Sequence, residues 1–152
     1  MDPVIYFLVL MWCAFCFAQV EIAIEGKHGW AENLPTWHLP RTNWASIIFF
    51  GGKPATGYHM WMEIFIVSIL HTVYVYVPFS WMVELQILAF FLYFSVAEDF
   101  LWFAYNPFYG ISNFRPDKIW WHKDGWWLIA PRDYYLFLTL GTALYLLSFH
   151  VA

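Results

Sequence analysis

Charge is what this chain has least of. Only 12% of its 152 residues are Asp, Glu, Lys or Arg, where soluble domains carry about 25%. Hydrophobic residues make up 62% and aromatic residues 24%, and mean hydropathy is +0.54. That balance excludes a water-solvated globule and predicts an integral membrane protein. Cysteine is almost absent. Cys13 and Cys16 are the only two, they lie within an apolar run, and with no second pair to relay electrons they are expected to be structural rather than a redox couple. The sequence also lacks a nucleophile elbow, a P-loop and an H-E-x-x-H motif. It has no low-complexity segment and no linker that would separate domains, so residues 1–152 read as one transmembrane domain without a nucleic-acid partner.

What the chain does have is four apolar runs, at about 3–25, 58–79, 81–105 and 133–152, each near the roughly 20 residues that a helix needs to cross a bilayer. None alternates in the way that barrel strands do, so the fold class expected is an all-α bundle of four transmembrane helices. The opening Met-Asp-Pro carries an acid where a secretory signal carries Lys or Arg, so the first run is expected to be a span of the mature protein.

The cations are confined as well as few. Lys27, Arg41, Lys53, Arg115, Lys118, Lys123 and Arg132 all fall in the first or the third loop. The positive-inside rule then makes those two loops cytoplasmic, with both termini on the other side of a plasma or inner membrane. The net charge of −4 says little about partners, because the acids concentrate at helix ends and within spans. Both basic loops are rich in tryptophan: Trp30, Trp37 and Trp44 in one, and Trp120, Trp121, Trp126 and Trp127 in the other. Such mixtures suit the headgroup layer, so both loops are expected to lie on the membrane interface. Gly-Lys-His-Gly-Trp and His-Lys-Asp-Gly-Trp-Trp are loosely alike, and each follows a helix bearing paired acids. Composition at an interface explains that likeness as simply as a duplicated hairpin does.

The chemistry-bearing residues are the polar ones at membrane depth. Measured from the cytoplasmic helix ends at about 1.5 Å per residue, Glu98 and Asp99 lie roughly 10 Å in and Glu63 about 7 Å in, with His59, Glu21 and Glu25 nearer the rim. Three helices therefore bring acids and a histidine to one layer. His59 with Glu63, and Glu21 with Glu25, are each four residues apart and can point the same way. Glu98 and Asp99 lie about 100° apart on a helix, so one of them is expected to face the shared site and the other a supporting contact.

An ionised acid in hydrocarbon costs about 2.5–3.5 kcal/mol, so such groups face the bundle interior and find a partner. No Lys or Arg lies within a span, so the acids must be protonated, reached from the loops, or bound to metal. Inward Glu and His on a helical bundle are how di-iron and di-manganese proteins build their sites. The expected ligands are Glu21, Glu25, His59, Glu63 and Glu98, with Asp99 and His122 supporting or joining them, and iron is favoured over manganese or zinc. Glu63 and Glu98 are the candidate catalytic groups. The Glu-x-x-His spacing of the soluble proteins and the histidine clusters of membrane desaturases are both missing, so the sequence points to a type of site without a family.

The expected function is a membrane metalloenzyme acting on a lipophilic molecule that enters from the bilayer, with oxidation of hydroxylase or desaturase type if the metal is iron. A zinc hydrolase is the variant if the metal is zinc. The rivals are a proton-coupled transporter or channel using the same carboxylates, and an accessory subunit whose acids meet a partner's cations. Membrane lipid is the surrounding partner, and a homo-oligomer is compatible with any of these.

Plainer readings compete at each position. Glu21 and Glu25 could mark the wet end of a helix, His59 and Glu63 could form a structural pair, and Glu98 and Asp99 could be a snorkelling helix end. Asp133 is expected to cap the fourth helix after Pro131. His71 is expected to hydrogen-bond Gln86 or a tyrosine rather than ligate haem, and Glu84 and Gln86 could form a smaller polar patch at the far side.

Overall fold

The computed structural model of the protein describes residues 2–151. The chain is mostly helical: α1 (Pro3–Glu25), a short α2 (Trp44–Phe49), α3 (Gly57–His71), α4 (Trp81–Tyr105) and α5 (Arg132–Ser148). Among the described residues three helical segments, Pro3–Glu25, Gly57–Val75 and Trp81–Tyr105, are long and apolar enough to cross a membrane. The fourth, α5, has 17 residues. A two-residue antiparallel ladder, β1 (Trp126–Trp127) with β2 (Ala130–Pro131), closes the third loop just before α5.

Local chemistry sets the helix ends. Asp2 accepts a 2.8 Å hydrogen bond from Val4 N–H, and Pro3 fills the first position of α1, where no donor is missed. α1 stops at Gly26, whose φ of 61° is left-handed. The second apolar run was expected to be helical through residue 79, but α3 ends at His71 and continues only as a 3-10 turn, Thr72–Val75. Thr72-Val73-Tyr74-Val75-Tyr76-Val77 is rich in β-branched and aromatic side chains, and Pro78 disfavours a helical Val77. α5 begins one residue earlier than expected and ends at Ser148, four short of the expected bound. Asp133 does not cap it. Its N-cap is Pro131, with no side-chain cap bond, and the Asp133 carboxylate instead lies 3.6 Å from Lys53 Nζ.

α4 is the hub. α1 and α5 pack along it, whereas α3 meets it at few points. The buried face of α1 runs Tyr6, Leu10, Ala14, Ala18, Ile22, one residue in four, and Glu21 and Glu25 extend that same stripe. Ala14, Ala18 and Ala89 are fully buried, and their small side chains let the α1 and α4 backbones approach closely. Tyr6 donates to the Gln86 carbonyl at one end of this pair (2.9 Å). Asn106 Nδ2 donates to the Gly26 carbonyl at the other end (2.7 Å). The same Asn106 accepts from Phe108 and Tyr109 N–H, so one side chain closes α4 and ties it to the end of α1.

The two long loops fold over this end of the bundle and onto each other. Arg41 bridges them, with Nη1 2.9 Å from Asp124 Oδ2 and Nη2 donating to the Trp120 carbonyl. Beneath them lies a core of Trp30, Phe50, Trp102, Phe103, Ile119 and Trp121. Gly29 marks its tightest point, because a methyl group there would run into the six-membered ring of Trp121. Gly29→Ala should therefore destabilise the fold by about 1–3 kcal/mol, the ordinary cost of overpacking, read as a lowered midpoint in chemical denaturation. The outer edge of the loops is apolar: Trp44, Ile47, Ile48 and Phe49 of α2, and Leu128 and Ile129, are exposed. Cys13 and Cys16 are free and sit on the exposed surface of α1, rather than in the interior as expected from their apolar neighbours. In an all-apolar helix the hydrophobic pattern does not mark which side faces inward.

Candidate functional site

Under the loops, between the ends of α1, α3, α4 and α5, lies a chamber of about 460 Å³. Glu21, Glu25, His59, Glu63, Glu98, Asp99 and His122 all line it. The sequence spreads them over a hundred residues, and the helices bring them together because the loop-side ends of α1, α3 and α4 are level.

Glu21 and Glu25 reach the chamber on the buried stripe of α1. They are 6% and 9% exposed, which removes the reading of a wet helix end. Glu25 Oε1 accepts a 2.5 Å hydrogen bond from Ala31 N–H, where the chain turns back with left-handed Trp30 and Ala31. His59 lies in the first turn of α3, capped by Thr56, whose hydroxyl shares a 2.7 Å hydrogen bond with His59 Nδ1. Its ring stacks on Trp30 at 4.0 Å with the planes 17° apart, and its Nε2 lies 3.9 Å from Glu25 Oε1. The nearest carboxylate to His59 is thus Glu25 on α1, and the paired His59 and Glu63 of the plainer reading are not hydrogen-bonded among the described residues. Glu63 stands one turn further along α3 on the chamber wall.

On α4 the two adjacent acids part company. Glu98 continues the buried line Phe94, Glu98, Trp102. Asp99 turns toward α5 and the third loop, where Tyr134 donates its hydroxyl to Oδ2 and His122 Nε2 lies 3.7 Å away. That last distance is too long for a hydrogen bond. Burial and the Lys53 ammonium hold the His122 imidazole below its ordinary pKa, against the opposing pull of Asp99. The ring is therefore neutral near pH 7, with a lone pair available to a proton or a metal.

Several buried polar atoms here make no well-formed hydrogen bond among the described residues, namely Glu21 Oε1, Glu98 Oε1, Tyr58 OH and His122 Nε2, although the Glu21 carboxyl lies next to both Glu98 and Tyr58. Native interiors rarely leave such atoms unpaired, and each calls for an explanation. As donors they form an oxygen and nitrogen set of the type that suits iron, manganese or zinc. Among the described residues, however, no group of three or more His, Cys, Asp or Glu side chains is already drawn together at metal-holding distances.

Lys53, Arg132, Asp133, Tyr58 and Tyr134 belong to this region and were not expected in the site, Lys53 and Arg132 having been read from sequence only as loop cations and Asp133 as a helix cap. Lys53 is mostly enclosed, lying 4.4 Å above the Trp30 ring and 3.6 Å from Asp133. Arg132 Nη2 donates to the Gly51 carbonyl (2.8 Å). Tyr58 is the neighbour of His59 in the same first turn, the one sequence signal that could have found it. The loop cations carry no local signal, because their places depend on how the loops fold back.

A second polar group occupies the far ends of α3 and α4. His71 Nε2 lies 3.2 Å from Glu84 Oε1, Tyr74 donates to Glu84 Oε2 at 2.9 Å, and His71 Nδ1 bonds the Val67 carbonyl at 2.7 Å. Glu84, not Gln86, is thus the side-chain partner of His71. Gln86 faces the other way and bonds Ser148 at 3.3 Å. Comparison with protein-family models, with curated proteins and with solved structures found no match to the chain.

Proposed function

We propose that the protein is an integral-membrane metalloenzyme of four spans, with its basic loops in the cytoplasm, whose chamber acts on a lipophilic substrate. The observation that supports this reading is the meeting of two buried carboxyl groups, Glu21 and Glu98, on two helices that border one cavity, each with an Oε1 that accepts no hydrogen bond among the described residues. Burying such groups without a partner is costly, and a bound divalent cation removes that cost. Glu21, Glu98 and His122 are the groups proposed to close on it, with Glu25, His59 and Glu63 completing the wall, although no three such side chains among the described residues are already at metal-holding distance. Iron is favoured over manganese or zinc.

The protein's own groups divide the remaining work. Tyr134 orients Asp99, whose carboxylate lies beside His122 Nε2 and can join it at the site. Glu63 is less enclosed than Glu21 and Glu98 and is the group suited to taking or giving a proton at the substrate. The aromatic wall, including Phe17, Phe91, Phe94 and Phe137, excludes water and accepts an apolar chain. When bound, the metal supplies Lewis acidity and, if it is iron, the redox capacity needed for hydroxylation or desaturation.

Metal analysis of the purified protein tests this. About one or two equivalents of iron are expected, lost in Glu98→Ala and Glu21→Ala and kept in Glu84→Ala, which alters only the far cluster. A folded, metal-free protein whose chamber variants lose proton-linked flux would replace this reading with a transporter.

A further inference from the structure

The chamber has a second compartment with a different chemistry. A cavity of about 270 Å³ shares Lys53, Trp121, His122, Arg132 and Asp133 with it, and adds Arg41 and Asp124 from the two loops. Its wall therefore carries three cations, Arg41, Lys53 and Arg132, against two carboxylates, Asp124 and Asp133. Arg41 is matched by Asp124 at 2.9 Å. Lys53 and Arg132 share Asp133, at 3.6 and 3.7 Å, so this compartment's wall carries one more cation than carboxylate, and the further acids lie in the adjoining chamber. Arg132 Nε is buried 3.7 Å from Asp133 Oδ1, too far for a hydrogen bond, while its Nη2 is fixed on the Gly51 carbonyl. A guanidinium oriented in this way at the wall of the compartment can turn its remaining N–H groups to an oxyanion.

The other side of the chamber is apolar. Met62 and Ile66 of α3, Phe91 of α4, and Leu136 and Phe137 of α5 line it, and Leu136, 48% exposed, takes that lining out to the protein surface. A cationic pocket on the loop side and a hydrocarbon slot on the helix side are joined through one cavity wall. We infer that the ligand of the chamber is an amphiphile with an oxyanion head, phosphate or carboxylate, gripped by Arg132 and Lys53, and a hydrocarbon tail lying against α3, α4 and α5. This rests on the reading of the chamber as a substrate site and specifies the substrate's class. The acids of Glu21 and Glu98 are absent from the cationic compartment, and His122 is the one proposed metal-holding group that lines both cavities.

The test is equilibrium binding to the full chain in nanodiscs, with empty nanodiscs subtracted and a chelator present, so that the outcome does not depend on the metal. Hexadecyl phosphate should bind roughly tenfold or more tightly than hexadecanol, the margin expected of hydrogen bonds to a charged group. Inorganic phosphate alone should bind far more weakly than hexadecyl phosphate, because it lacks the tail. Arg132→Gln and Lys53→Gln should each erode the preference for the charged head, and Arg132→Lys should keep part of it. Equal affinity for hexadecyl phosphate and hexadecanol in the unmodified protein would overturn the inference, whatever the variants do. Inorganic phosphate binding as tightly as hexadecyl phosphate would overturn the amphiphile and leave an anion pocket. The metal content, measured separately, decides the enzymatic reading on its own.

Discussion

Phe103→Ala should cost about 3–5 kcal/mol of stability, the range for removing a buried aromatic side chain whose cavity cannot fully collapse. Phe103 is fully buried. Its ring meets Trp102 edge-on at 5.0 Å and Phe114 at 5.0 Å, and lies parallel to Trp121 at 6.0 Å. These neighbours come from α4 and the third loop, so the ring holds the loop to the helix that carries Glu98 and Asp99. Its loss should also loosen Trp121 and the adjacent His122. Phe65 on α3 is the matched control: it is 63% exposed, and Phe65→Ala should change stability by no more than about 0.5 kcal/mol. Denaturant titration in a fixed detergent, followed by tryptophan emission, reads both. Similar effects for the two would mean that the aromatic cluster is not the keystone described above.

Glu98→Leu should do the opposite and raise the stability of the metal-free protein by about 1–3 kcal/mol, the penalty ordinarily attached to a buried polar group without a partner. Glu98 is 8% exposed, its Oε1 has no partner among the described residues, and its helix neighbours on the same line are Phe94 and Trp102. A leucine suits that line better than a carboxyl does. The measurement needs a chelator, since a bound metal would stabilise only the unmodified protein and hide the gain. A more stable variant that no longer retains metal would show a residue kept for what it does at the expense of the fold. A variant that is less stable under the same conditions would show that the carboxyl holds the structure together, and the case for a functional Glu98 would lapse.

The sequence made the fold legible where apolar length alone decides structure. α1 and α4 run over the residues expected, 3–25 and 81–105, because Pro3, Gly26 and Pro107 punctuate them. α3 was read too long, because hydropathy does not distinguish the β-branched stretch after His71 from a helix. The six residues of α2 were read only as an apolar patch, being too short for periodicity to register. At the site, helix rise alone placed the acids at one depth, and they line one chamber. The 100° between Glu98 and Asp99 matches their different neighbours, Phe94 and Trp102 along the helix for one and Tyr134 for the other, although both line the chamber. The loop partners were beyond such reasoning. Tyr134 reaches Asp99 across 35 positions and Arg132 reaches Gly51 across 81, and neither contact has any local signature.

The light attachment of α3 has a bearing on how the chamber keeps its shape. Only Gly57 and His59 at its first turn are buried, and Trp61, Ile64, Phe65 and Ile69 face outward. In a bilayer, acyl chains would press on that outer side, so lipid would act as the backing of the wall that carries Glu63. Lateral pressure and bilayer thickness would then help to set the volume available within, and exchanging lipid for detergent would change the vessel as well as the surroundings.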